Sequence, residues 1–121
     1  VSLFIEPDPV QIAVAEAMGA AVVELHTGAY CEAALAGDTA GQQRLLERLA
    51  EAAAIAHGRG LEVHAGHGLT YDTVKPVAAI PEIAELNIGH FLIGEAIFRG
   101  LRETVETMRG LIAEARAEQS S

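Results

Sequence analysis

The chain has 121 residues, which suffices for one small domain, and 50% of them are hydrophobic, so a packed core is possible. The formal net charge of −9 at pH 7 argues against nucleic acid or an anionic membrane surface as the main partner. The lone Cys31 excludes an internal disulfide, and no signal peptide or long apolar run is evident, so we expect a soluble cytoplasmic protein.

Strand and helix patterns alternate along the chain. The first half contains a strand at Val1–Ile5, a helix from Pro9 to near Gly19, a strand in AVVELHTG, a loop with room for a short helix from Gly28 to Gly37, and a long helix that opens at Asp38 or Thr39. The second half contains a strand at Leu61–Ala65, a short helix from Asp72 or Thr73 to near Ala79, a strand in ELNIG, the short segment HFLIGEAIFRG, and a last helix that buries Leu101, Val105, Met108, Leu111, Ile112 and Ala115. We expect one domain over residues 1–121.

Four strand–helix units in succession predict a parallel sheet with helices on its faces. Two α/β architectures fit: an open doubly wound sheet, and part of a (β/α)8 TIM barrel. A whole barrel needs about 250 residues, so this chain would supply only about the last four β/α units of one. The segment HFLIGEAIFRG favours the barrel, because barrels often bind phosphate at a short helix in that place. An open sheet more often has a Gly-rich loop after its first strand, where this sequence has EPDP.

Three of the predicted strands end in polar clusters, which read ELHTG, GHGLT and NIGH. Ligands of parallel α/β folds bind at the carboxyl ends of strands, so these clusters are expected to meet at one mouth. His67 lies between Gly66 and Gly68, and histidine side chains can give and take protons near neutral pH. We favour an acid–base role for His67 over the alternative, a loop histidine bonded to a backbone carbonyl.

Two glycine-containing segments are candidates for phosphate binding. Gly68 precedes a predicted helix, and Gly89 and His90 precede the short segment after the fourth strand. Unpaired N–H groups at such places can bind phosphate, although each glycine alone could be an ordinary turn residue. Because TIM barrels frequently hold a phosphate between their last two loops, we expect substrate or phosphate contacts at Gly68, Gly89 and His90.

Glu24 lies inside the second predicted strand among apolar neighbours. Alternation places it on one face with Val22 and His26. A buried carboxylate without a partner is costly, so Glu24 needs either a structural pair, with His26 or an arginine, or a catalytic task, which we favour. His64 and Asn87 are also polar within strands, and we interpret them as hydrogen-bonded interior residues.

The stretches VSLFIEPD, VELHTGAY, AGHGLTYDTV and IPEIAELNIGHFLIGEAIFRGL closely resemble the C-terminal half of the pyridoxine 5'-phosphate synthase family. The likeness covers essentially the whole chain, and AGHGLTY followed at this distance by ELNIGH is its specific part. The resemblance implies a (β/α)8 TIM barrel in which this chain supplies the fifth to eighth units. It implies condensation of 1-deoxy-D-xylulose 5-phosphate with 3-amino-2-oxopropyl phosphate to pyridoxine 5'-phosphate, inorganic phosphate and water, without a metal or an organic cofactor.

The resemblance also implies roles for individual residues. By matching motif, His67 corresponds to an acid–base histidine, and Glu24 to a carboxylate that stabilises charge during the reaction. Gly68, Gly89 and His90 correspond to contacts with the amine substrate and its phosphate. The family also uses groups from earlier strands that this sequence lacks, so we expect the chain to need the N-terminal half of the barrel for full activity. The family forms an octamer, and a homo-oligomer is expected when that half is present.

Two other interpretations remain open at this stage. One is a different phosphate-binding TIM-barrel enzyme, such as an epimerase or a thiamine phosphate synthase-like protein. The other is a non-catalytic half-barrel that binds phosphate or self-associates. Product analysis with the two substrates separates the first from the synthase, and the second predicts that His67→Ala leaves ligand binding or assembly unchanged.

Overall fold

The computed structural model describes residues 1–120, which contain one sheet of four parallel strands. The strands are β1 (Ser2–Ile5), β2 (Val22–His26), β3 (Glu62–Gly66) and β4 (Ile83–Asn87). They are ordered β1-β2-β3-β4 across the sheet. A doubly wound sheet reverses direction at a switch point, whereas this sheet adds each new strand on the same side, as the wall of a barrel does. The predicted α/β class is confirmed, and the open doubly wound alternative does not fit.

Within residues 1–120, six helices connect or follow the strands: α1 (Pro9–Ala17), α2 (Gly28–Leu35), α3 (Thr39–Gly58), α4 (Val74–Ala78), α5 (His90–Arg99) and α6 (Leu101–Ser120). Two of them begin at the capping residues predicted from the sequence. Oδ1 of Asp8 accepts the N–H of Val10 at 2.9 Å, and Oδ1 of Asp38 accepts the N–H of Gly41 at 3.0 Å. Each carboxylate satisfies a backbone donor that the first helical turn leaves unpaired.

Two segments differ from the prediction. The region from Gly28 to Gly37, predicted as a loop with room for a short helix, is largely the helix α2. Its buried residues are Gly28, Tyr30 and Cys31, whereas the apolar Leu35 is 89% exposed, so the apolar residues of the sequence do not mark one face of this helix. The Tyr30 hydroxyl instead anchors α2 by donating to the Thr73 carbonyl at 2.9 Å. The fourth strand also begins at Ile83, earlier than the predicted run ELNIG.

The two faces of the sheet differ in character. The face covered by helices is apolar, and its central residues Val23, Leu25, Val63 and Ala65 are at most 1% exposed. The opposite face carries the alternate residues of each strand, which include Phe4, Glu24, His26 and His64. This face corresponds to the inside of a closed barrel, and the alternation predicted for the second strand is confirmed.

Exposed apolar side chains lie near both edges of the sheet. Within residues 1–120, β1 and β4 each pair with a single strand. Beside β1, an apolar groove of about 250 Å³ is lined by residues that include Leu3, Ile5, Val10, Val14 and Met18. After β4, α5 buries none of its residues, and four apolar side chains are 61–86% exposed: Ile93, Ile97, Phe98 and Leu101. Surfaces of this kind are typical of faces that pack against further structure.

Candidate active site

A cleft of about 490 Å³ lies at the carboxyl ends of the strands. It is lined by Phe4, Glu24, His67, Gly68, Leu69, Asn87, Ile88, Gly89, His90 and Phe91. The five residues singled out from the sequence are all in this lining: Glu24, His67, Gly68, Gly89 and His90. They come from β2, from the segment after β3 and from the segment after β4, so the parallel sheet brings distant parts of the chain to one place.

Asn87 holds Glu24 across a gap that Gly66 leaves open. In the sheet register, Glu24 lies opposite His64, and Gly66 lies opposite Asn87, so Glu24 and Asn87 are diagonal neighbours. Nδ2 of Asn87 donates to Oε1 of Glu24 at 2.5 Å. A Cβ atom at Gly66 would lie 3.1 Å from Oε2 of Glu24 and 2.7 Å from the carbonyl oxygen of Asn87. The pair therefore depends on glycine at this position.

This arrangement corrects the structural partners considered for Glu24, which were His26 and an arginine. The hydrogen bonds predicted for Asn87 and His64 are confirmed, and Nε2 of His64 lies 2.6 Å from a carboxylate oxygen of Glu62. The prediction that Asn87 is an interior residue is wrong for residues 1–120, where Asn87 is exposed at the end of the edge strand β4. A neutral amide orients a carboxylate without cancelling its charge. Glu24 therefore presents a fixed negative charge to the cleft, whereas an arginine would have neutralised it.

His67 has an unusual backbone conformation that Thr27 holds in place. Its φ of +88° is the only positive φ of a non-glycine residue in residues 1–120. Such strain costs on the order of 1–3 kcal/mol and persists only where the surroundings hold it. The Thr27 hydroxyl lies 2.7 Å from the Gly66 carbonyl oxygen and 2.6 Å from the His67 carbonyl oxygen. The backbone N–H of Thr27 also donates to the Gly66 carbonyl oxygen at 2.9 Å. The motifs HTG and GHG thus form one structural unit.

The imidazole of His67 makes no hydrogen bond within residues 1–120, where only its carbonyl oxygen is bonded. The alternative of a loop histidine whose ring binds a backbone carbonyl is therefore wrong. In the sequence, Thr27 stands out only as a member of the polar cluster ELHTG, and no role was predicted for it. A buried threonine directly after a strand-end histidine was the available signal, but its acceptors lie about 40 positions further along the chain.

Cys31 packs behind the segment that carries Gly68. A Cβ atom at Gly68 would lie 3.2 Å from Cβ of Cys31, and Sγ of Cys31 lies 3.8 Å from the His67 carbonyl oxygen. Burial raises the pKa of the Cys31 thiol, so the thiolate that would act as a nucleophile is disfavoured at neutral pH. Cys31 supports the loop and is absent from the cleft lining.

The start of α5 opens onto the cleft. Gly89 is its N-cap residue, and no side chain caps the helix, so the N–H groups of the first turn and the positive end of the helix dipole are available to a ligand. Tyr71 connects this helix to the His67 segment. Its ring meets that of Phe91 edge to face at 4.6 Å, and its hydroxyl donates to the Thr104 carbonyl at 3.3 Å. The two candidate phosphate-binding segments are thus held together.

Residues 1–120 contain no group of three or more His, Cys, Asp or Glu side chains placed to hold a metal ion. Every helix in the same range is too short or too polar to span a lipid bilayer.

Four adjacent parallel β/α units, with polar groups gathered at the carboxyl ends of their strands, define the class: part of a (β/α)8 barrel. Residues 1–114 match the family model described as Pyridoxal phosphate biosynthesis protein PdxJ. The chain belongs to this family. The resemblance drawn from the sequence is confirmed, and the other phosphate-binding barrel enzymes considered above are not the family matched.

Curated relatives named pyridoxine 5'-phosphate synthase extend the comparison. The chain is 68% identical to that of Caulobacter vibrioides over 118 residues, which cover 98% of this chain and 46% of the relative. It is 64% identical to that of Ruegeria pomeroyi over 117 residues, which cover 97% of this chain and 47% of the relative. It is 66% identical to that of Rhodospirillum rubrum over 109 residues, 90% of this chain and 43% of the relative. The chain therefore spans just under half the length of these relatives.

Proposed function

We propose that residues 1–121 form the C-terminal half of the barrel of a pyridoxine 5'-phosphate synthase. The reaction condenses 1-deoxy-D-xylulose 5-phosphate with 3-amino-2-oxopropyl phosphate and yields pyridoxine 5'-phosphate, inorganic phosphate and water. The observation that carries the proposal is the meeting of Glu24, His67, Gly68, Gly89 and His90 on one cleft. The names of the relatives support the same activity.

His67 is the proposed acid–base residue. Joining an amine to a ketone, with loss of water, requires protons to move at nitrogen and oxygen. An imidazole suits this task because histidine side chains can both donate and accept protons near neutral pH. The ring lines the cleft and has no hydrogen bond within residues 1–120, so its nitrogens can serve the substrate.

Glu24 is the proposed charge-stabilising residue. An amine that has added to a carbonyl carries positive charge on its way to an imine, and a fixed carboxylate lowers the energy of that charge. The amide of Asn87 keeps the carboxylate in one orientation without neutralising it. Preorganisation of this kind avoids the cost of reorienting the group during the reaction.

Gly68, Gly89 and His90 are the proposed contacts to the amine substrate and its phosphate. The start of α5 offers backbone N–H groups and the helix dipole, and these bind anions on a chain whose net charge is −9. The substrates supply the carbonyls and the amine themselves. The proposal therefore includes neither a metal nor an organic cofactor.

The proposal includes the N-terminal half of the barrel as the partner of this chain. The edge strands β1 and β4, which each pair with a single strand within residues 1–120, and the apolar surfaces beside them are where that half would close the barrel. The complete enzyme is proposed to act as a homo-oligomer, an octamer by resemblance to the family, in the cytoplasm, and neither nucleic acid nor a membrane is among its partners. A single buried thiol suits a reducing compartment.

The test is a fusion protein, called the complete barrel below, that joins the preceding half of the Caulobacter vibrioides relative to this chain. It is incubated with both substrates, and pyridoxine 5'-phosphate is detected by liquid chromatography and mass spectrometry. We expect product from the complete barrel, little from this chain alone, and a loss of about 100-fold or more in the His67→Ala variant. A folded complete barrel that makes no product, beside an active Caulobacter vibrioides enzyme, would refute the proposal.

A further inference from the structure

We infer that His26 is a positioning residue that holds the imidazole of His67 at the mouth of the cleft. The inference rests on the proposed function, because it assigns a task to a neighbour of the proposed acid–base residue. His26 is absent from the lining of the cleft, so its action on the reaction would pass through His67.

His26 is the middle ring of a three-ring stack. Its centroid lies 4.9 Å from that of Phe4, with an angle of 60° between the planes. It lies 4.5 Å from that of His67, with an angle of 30°. In the sheet register His26 faces Gly66, which has no side chain to compete for this space. The rings thus connect β1, β2 and the segment after β3 on the open face of the sheet.

A backbone hydrogen bond fixes the orientation and tautomer of His26. The N–H of Gly28 donates to Nδ1 of His26 at 3.0 Å. Because Nδ1 is the acceptor, the neutral ring carries its hydrogen on Nε2. A Cβ atom at Gly28 would lie 2.9 Å from Nδ1 of His26 and 3.2 Å from Cδ2 of His67, so the first glycine of α2 leaves room for both rings.

His67 needs such support because little else restrains its side chain. Glycine flanks it on both sides, Thr27 holds its carbonyl oxygen and not its ring, and the ring makes no hydrogen bond within residues 1–120. The contact with His26 is therefore the interaction that selects among its side-chain orientations. An acid–base group misplaced by about 1 Å can cost on the order of 100-fold in rate.

Two substitutions in the complete barrel distinguish the contribution of the His26 ring from that of its acceptor atom Nδ1. His26→Phe keeps a ring for the stack and loses Nδ1, whereas His26→Asn keeps an acceptor near Nδ1 and loses the ring. We expect His26→Asn to lower kcat by about 10-fold to 100-fold with KM for both substrates within about 2-fold, and His26→Phe to keep kcat within about 3-fold. The matched control is His57→Asn, which replaces an exposed histidine at the end of α3 and should leave kcat and KM unchanged.

Equal kcat in His26→Asn and the parent would overturn the inference, as would a His26→Phe variant as slow as His26→Asn. A second measurement does not depend on activity or on the folding of the variants. In the unsubstituted complete barrel, imidazole 15N shifts should show His26 with hydrogen on Nε2, and nuclear Overhauser effects should connect the rings of His26 and His67. The absence of that ring contact refutes the inference even if the complete barrel is inactive. Inactivity of the complete barrel counts against the proposed function alone.

Discussion

Gly66→Ala tests whether the gap between Glu24 and Asn87 is essential. The new Cβ atom would lie 2.7 Å from the carbonyl oxygen of Asn87, which belongs to the paired strand β4, and 3.1 Å from Oε2 of Glu24. The carboxylate can rotate away, but the backbone oxygen can move only if β3 and β4 separate. Overpacking of this kind costs about 1–3 kcal/mol of unfolding free energy.

For a protein of barrel size, this cost corresponds to a fall in Tm of roughly 2–12 °C. Denaturant unfolding of the complete barrel gives the free energy, and product formation should fall as well, because Glu24 loses its orientation. Gly110→Ala is the matched control: it adds the same methyl group to a helical glycine with nothing within 4 Å, and it should stabilise by about 0.5–1 kcal/mol. If Gly66→Ala is as stable and as active as the parent, the gap is not required.

Three further predictions concern single interactions in the complete barrel. Asn87→Ala should lower kcat by about 10-fold or more in steady-state assays with little change in unfolding free energy, because Glu24 loses its only described hydrogen bond; an unchanged kcat would contradict the role of Asn87. Tyr30→Phe should cost about 1–3 kcal/mol in urea unfolding, since the Thr73 carbonyl is left without its donor; a neutral substitution would show that α2 is anchored otherwise. Burial raises the pKa of both Tyr30 and Cys31, so the folded state holds these protons more tightly than the unfolded chain. Their contribution to stability is therefore complete below the ordinary thiol pKa of 9.0 and is lost as pH rises through the folded pKa values. Urea unfolding midpoints measured between about pH 8 and pH 11 should show this loss of stability, and the loss should be smaller in Cys31→Ala.

The sequence predicted the features of the fold that local rules determine. Alternation placed Glu24 and His26 on one face of β2, and the capping carboxylates of Asp8 and Asp38 marked two helix starts. It was less definite for α2, where it allowed a loop with a short helix, because apolar residues lie on both faces: Tyr30 and Cys31 are buried by contacts with the segment before α4, and Leu35 is exposed. Helical periodicity is a local signal, and a helix seated by distant contacts need not show it.

For the candidate site, too, some features could be predicted from the sequence and others could not. Its members could be predicted because parallel strands bring their carboxyl ends together whatever the register is. Its internal partners could not, because Glu24 and Asn87 are 63 residues apart in sequence, and their contact depends on the offset between three strands. A shift of one residue would turn Asn87 to the helical face and leave Glu24 without this partner. Register is a property of the packed sheet and not of any one segment.

The glycines of the site serve two different purposes, although the sequence suggests only one. The missing side chains of Gly28 and Gly66 leave spaces that the protein itself fills, with the rings of His26 and His67 at the first and with Glu24 and Asn87 at the second. Gly89, in contrast, has nothing within 4 Å of the place where its Cβ atom would be, and it lines the cleft. Substitution at the first two would therefore disturb the arrangement of the proposed catalytic groups even in the absence of substrate. Gly89→Ala should leave that arrangement intact and weaken only the binding of the phosphorylated substrate.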